Sequence, residues 1–260
     1  MSIEIQNLTI SLSSGLTISK DISFGIEQGE MLSIVGSSGA GKTTICRAIM
    51  GLLGDGYIVK GNIQFGDKAL LSLSKTQLHG IYGKEICYIM QNPMTAFNPS
   101  IRIGAQLCNT YLCHQSGHEK SEILSEYAVI LRGLGLEDTK RIFRNYPFEL
   151  SGGMLQRLMI AAAVIQRPKL LIADEATTAI DACNRLSLMK KMREFCNAGM
   201  AVLFVTHDMK AAAASDYMLI MNQGEIVEKG KTCELLQNPQ KEYTKKLLDA
   251  TILKRRVDND

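Results

Sequence analysis

The eight residues Gly36, Ser37, Ser38, Gly39, Ala40, Gly41, Lys42 and Thr43 constrain this chain more than any other stretch. They match the pattern G-x-x-x-x-G-K-[ST] at every fixed position. Context supports the match: Met31 to Val35 reads as a buried strand and Thr44 to Leu53 as an amphipathic helix, so the loop is a strand-to-helix turn. Glycines let the backbone wrap closely around a polyphosphate, and the amides at the helix start aim their dipoles at its negative charge. Lys42 is then expected at the β- and γ-phosphates, and Thr43 offers a hydroxyl to Mg²⁺.

Composition excludes several classes. At 260 residues and 46% hydrophobic, the chain can bury a substantial core. A formal net charge of +3 is too small to argue for a nucleic-acid partner, and Lys254 to Arg256 reads as a solvated run. No apolar stretch reaches the roughly 18 residues that span a bilayer, and the first residues lack the basic and apolar regions of a secretory signal. The expected location is therefore the cytosol, or the cytoplasmic face of a membrane if a partner holds the chain there. Seven scattered cysteines suggest free thiols. Cys108, Cys113, His114 and His118 lie close in sequence but match no zinc-ligand spacing, so packed thiols and surface histidines are the expectation.

Taken in order, Ile3 to Ile10 and Leu16 to Ile26 alternate apolar and polar residues, predicting two antiparallel strands joined near Ser13 to Gly15. Tyr57 to Phe65, interrupted at Gly61, continues that layer. Ile86 to Met90 reads as a short buried strand ending at Gln91, where Asn92-Pro93 turns the chain. A helical pattern from Ile101 to Tyr146 makes residues 92 to 165, approximately, an inserted helical subdomain. Ser151 is placed to cap a helix whose first residues, Gly152 and Gly153, leave bare amides exposed. Leu170 to Ala173 then reads as a central strand delivering Asp174 and Glu175, and Ala201 to Val205 as another ending at His207. Phosphoryl transfer uses one carboxylate in the metal shell and another for the attacking water, which this adjacent pair supplies.

Leu-Ser-Gly-Gly-x-x-Gln-Arg at 150–157, one helix before the acidic strand end, resembles the signature of the ATP-binding cassette family. The resemblance covers residues 3 to 240, and its motifs occur in the family's order. It implies an α/β fold of the P-loop type: a parallel-sheet core, an antiparallel β layer and an inserted helical subdomain in one ATPase domain. By that likeness Gln91 touches Mg²⁺ and the attacking water, Asp174 is metal-side and Glu175 is the catalytic base. His207 is the switch histidine, and Asp181 closes the segment Ala179-Ile180-Asp181. Ser151, Gly152, Gly153 and Asp181 would meet the ATP of a second ATPase subunit. Further implied partners are two membrane permeases and, indirectly, an extracytoplasmic binding protein. Gln91 to Pro99 and Tyr146 to Met154 look like the peptide and nickel importers, and Ser151 to Arg157 with Ile89 to Asn92 is most similar to the nickel branch. The chain departs from the family at residues 10 to 15, where no aromatic stands ready to stack on adenine. Met94 to Phe97, on the loop leading to the helical subdomain, is expected to meet the permease, with Phe97 read either as an interface anchor or as a packed side chain.

Overall fold

A computed structural model describes residues 3–115, 117–177 and 182–257, without the side chains of 182–184 and 251–257. β1 (Ile3–Leu12), β2 (Thr17–Ile26), β3 (Met31–Gly36) and α1 (Lys42–Ile49) are followed by β4 (Tyr57–Phe65), β5 (Lys68–Ala69), α2 (Lys75–His79) and β6 (Ile86–Ile89). Four helices come next: α3 (Ile103–Leu112), α4 (Lys120–Gly133), α5 (Thr139–Arg144) and α6 (Gly152–Val164). The chain returns through β7 (Leu170–Asp174), α7 (Ala182–Asn197), β8 (Ala201–Thr206), α8 (Met209–Ala212), β9 (Tyr217–Asn222) and β10 (Glu225–Lys231). It closes with α9 (Thr232–Gln237) and α10 (Glu242–Val257).

Two sheets form, in the orders β2-β1-β4-β5 and β10-β9-β3-β8-β7-β6. The smaller sheet is antiparallel throughout. In the larger, β6, β7, β8, β3 and β9 run parallel and only β10 is reversed. The expected fold class is therefore the observed one.

Side-chain alternation sets the layers. Along β7, Leu170 and Ile172 pack with the antiparallel sheet and α1, whereas Leu171 and Ala173 pack with helices α3, α4, α6 and α7. β8 divides likewise, with Leu203 and Val205 on one face and Val202 and Phe204 on the other. Every residue of β3, β7 and β8 is buried, which is why these segments read as continuous apolar runs. Each fully buried Ile or Leu here contributes about 1.5–3 kcal/mol relative to exposure.

Most strands shift by one or two residues at one end from the sequence reading, and three differences have a clear physical reason. α1 spans Lys42–Ile49 and not Thr44 to Leu53, because Gly51 takes φ +61° and turns the chain away. β4 is continuous through Gly61, whose φ of +109° is accommodated where β1 slips register between Gln6 and Thr9. α3 begins at Ile103, since Arg102 is extended and acts as its N-cap.

Candidate active site

Parallel strands deliver their C-terminal ends to one edge, and this sheet uses four adjacent ones. β3 ends at Gly36, β8 leads to His207, β7 ends at Asp174 and Glu175, and β6 leads to Gln91. The topology thus gathers residues separated by up to 171 positions.

At the end of β3 the glycines are required by space and conformation. A Cβ on Gly36 would lie 2.3 Å from the Met221 carbonyl oxygen, and one on Gly41 would lie 2.7 Å from Ser19 Oγ with φ at +93°. Lys42 is buried and donates to the carbonyls of Gly36 and Ser37, both at 2.8 Å. Burial pulls its pKa down, opposed by the negative charges of Glu175 and Asp174. An ammonium held by loop carbonyls beside two acids is poised for an anionic ligand.

Asp174 is wholly buried and accepts two hydroxyl hydrogen bonds, from Thr43 Oγ1 to Oδ1 at 3.1 Å and from Tyr88 Oη to Oδ2 at 2.9 Å. Burial raises its pKa, while the bonds from Tyr88 and Thr43 act the other way. Tyr88 itself is pushed well above the usual phenol range, chiefly by burial, so it remains a donor. A hydroxyl and a carboxylate side by side are hard oxygen ligands, the set Mg²⁺ prefers, so these residues fit that ion.

Glu175 sits in the left-handed region, φ +50°, which a glutamate adopts only when its surroundings enforce it. Its amide donates to the Val205 carbonyl at 2.8 Å, which helps hold that turn. Gln91 Nε2 donates to Glu175 Oε2 at 2.9 Å, and His207 Nδ1 lies 3.2 Å from Oε1. Gln91, Glu175 and His207 therefore form one cluster. In this structure Gln91 lies on the glutamate, whereas the metal-side position is what the resemblance implies for it.

Ser151 caps α6 through its Oγ, which accepts from the Met154 amide at 3.3 Å, and it is exposed, as Gly152 and Gly153 partly are. Ala179, Ile180 and Asp181 lie outside the described residues. Among those described, no group of three or more His, Cys, Asp and Glu side chains is set to hold a metal. Cys108 is buried in the helical layer, and His118 meets Tyr111 edge-on and Glu122 at 3.9 Å. Phe97 packs against the helical core while its neighbour Met94 is 54% exposed.

Two contributors were absent from the sequence reading. Tyr88 looked like one more residue of an apolar strand, although alternation places it on the face of Ile172, one step from Asp174. Arg185 of α7 forms an ion pair with Asp208, which caps α8 directly after His207. No local pattern pairs these two.

A glycine-rich strand-to-helix loop, a buried hydroxyl-bonded carboxylate and a strand-end glutamate held by an amide and an imidazole thus meet at one edge of the sheet. The ABC transporter family pattern matches residues 19–178, and the chain belongs to that family. It is 39% identical over 232 residues to a metal-staphylopine import system ATP-binding protein of Staphylococcus aureus, covering 88% of this chain and 84% of that one. It is 35% identical to an oligopeptide transport ATP-binding protein of Salmonella typhimurium, covering 95% and 75%. A dimeric ATP-binding cassette solved in a post-hydrolysis state with ADP and Pi shares the fold, with TM-score 0.80, 24% identity and coverage of 88% and 98%. The chain is an ATP-binding subunit of an ABC transporter of the importer type, and its ATP hydrolysis is coupled to transport.

Proposed function

We propose that this chain works as one of a pair of nucleotide-binding subunits, identical or homologous, on two membrane permeases at the cytoplasmic face. An extracytoplasmic binding protein supplies the cargo, which is nickel ion or a nickel chelate. The observation that carries the catalytic part is the placement of Glu175 between Gln91 and His207. In this reading the amides of residues 36–43 and Lys42 bind the ATP phosphates, with Lys42 exchanging loop carbonyls for phosphate oxygens. Thr43, Asp174 and Gln91 would hold Mg²⁺, which when bound would supply positive charge to offset that of the phosphates. Glu175 accepts the proton of the attacking water, and His207, oriented through Nδ1 by Glu175, turns Nε2 to the γ-phosphate. Ser151, Gly152, Gly153 and Asp181 close over the ATP of the second subunit, so each chain supplies half of each site.

For the cargo, the relative whose name specifies metal-staphylopine import supports a chelated metal, as does the nickel-branch resemblance of Ser151 to Arg157 together with Ile89 to Asn92. The dipeptide and oligopeptide relatives, 35% identical, support a peptide instead. Uptake into proteoliposomes containing the chain with its permeases decides between them. ATP-driven accumulation of nickel or its chelate is expected, and accumulation of di- or oligopeptides with none of nickel would overturn the nickel assignment.

A further inference from the structure

The carboxylate of Asp174 is held from two sides, and only one of its two partners belongs to the phosphate loop. Thr43 bonds Oδ1, and Tyr88, from the neighbouring strand β6, bonds Oδ2. We propose that Tyr88 is a positioning residue for the metal-side carboxylate, locking its rotation so that the Oδ1 edge stays turned toward Thr43 and the cation. This inference rests on the reading of Asp174 and Thr43 as Mg²⁺ ligands.

The geometry favours this role over packing alone. β6 pairs with β7 in parallel register, Tyr88 opposite Ile172, so the tyrosine and Asp174 project from the same face two positions apart. Tyr88 packs its ring against the core shared by α1 and the antiparallel sheet, a space an apolar side chain fills equally well. A phenol there is useful only if its hydroxyl finds a partner, and the partner is a carboxylate with no exposed surface. The nearby cation Lys42 donates elsewhere, to the carbonyls of Gly36 and Ser37. Without Tyr88, Oδ2 is left buried without this donor, and the carboxylate is free to turn its other oxygen away from the metal side. Hydrogen bonds behind a metal ligand typically change metal affinity by roughly 10- to 100-fold when removed.

The test compares ATP affinity of the isolated chain in Mg²⁺ and in EDTA, by calorimetry, for wild type and Tyr88→Phe. Affinity in EDTA is expected to stay within about twofold, because the Tyr88 hydroxyl bonds Asp174 and not the phosphate loop, while the gain conferred by Mg²⁺ falls roughly tenfold. An undiminished Mg²⁺ gain in Tyr88→Phe overturns the proposal, as does an equal loss with and without Mg²⁺, the mark of a merely structural side chain. Should Tyr88→Phe not fold, Tyr88→Met fills the space without a donor and carries the same two arms. A wild-type affinity indifferent to Mg²⁺ would overturn the magnesium reading itself, whereas a normal wild-type gain shared by the variant overturns only the part assigned to Tyr88.

Discussion

Gln91 Nε2 donates to Glu175 Oε2 at 2.9 Å, tying the residue two places after β6 to the residue just after β7. The bond crosses from the sheet to the segment that leads into the helical layer, so movement of that segment is felt at the carboxylate. Gln91→Ala is expected to lower ATP turnover roughly tenfold while ATP affinity measured in EDTA is retained, since the lost contact orients the base and not the nucleotide. Steady-state phosphate release set beside calorimetric binding checks the split.

Arg185 and Asp208 offer a test at the other side of Glu175. Asp208 is paired with Arg185 and also caps the Lys210 amide at 2.8 Å, so it anchors the turn that carries His207. Arg185→Ala should reduce turnover roughly tenfold through misplacement of the imidazole, with ATP affinity within about twofold of wild type. Unchanged turnover would remove this pair from the account.

Glu85 predicts a pH dependence of stability. It accepts from Lys169 at 2.7 Å and Lys68 at 2.9 Å, clasping the starts of β6 and β7 to β5. The Lys169 bond, then that of Lys68, hold its pKa below the ordinary 4.5. A carboxylate with a depressed folded-state pKa stabilises the fold above its unfolded pKa and loses that contribution as pH falls through the folded one. Glu85→Gln should therefore cost about 1–2 kcal/mol at pH 7, with the difference from wild type shrinking as pH is taken progressively below the ordinary 4.5. Denaturant melts across that pH series measure it.

How far the sequence reached follows the physics of each feature. The phosphate loop was legible because backbone approach demands glycine at fixed spacing, and β7 because a strand buried on both faces must be apolar throughout. The Gln91 bond to Glu175 was not, because it joins two strand ends whose neighbourhood in the sheet is not written locally. Tyr88 and Arg185 escaped for the same reason: each acts on a residue more than twenty positions away.

Phe97 and Met94, the two ends of the segment expected to meet the permease, play different parts. Phe97 packs on the helical core and Met94 stands exposed, so the two substitutions should separate. Phe97→Ala is expected to lower stability by about 1–3 kcal/mol, while Met94→Ala leaves stability and basal hydrolysis intact but weakens docking to the permeases. Thermal melts and co-purification with the permeases give the two readouts.

The central claim is that Glu175 is the base for ATP hydrolysis. Glu175→Gln keeps the side chain's shape but cannot take a proton from water. In the chain assembled with its permeases, ATP affinity should stay within about threefold of wild type, while phosphate release falls by roughly 10²–10⁴-fold. Turnover near the wild-type rate in that assembly would contradict the account.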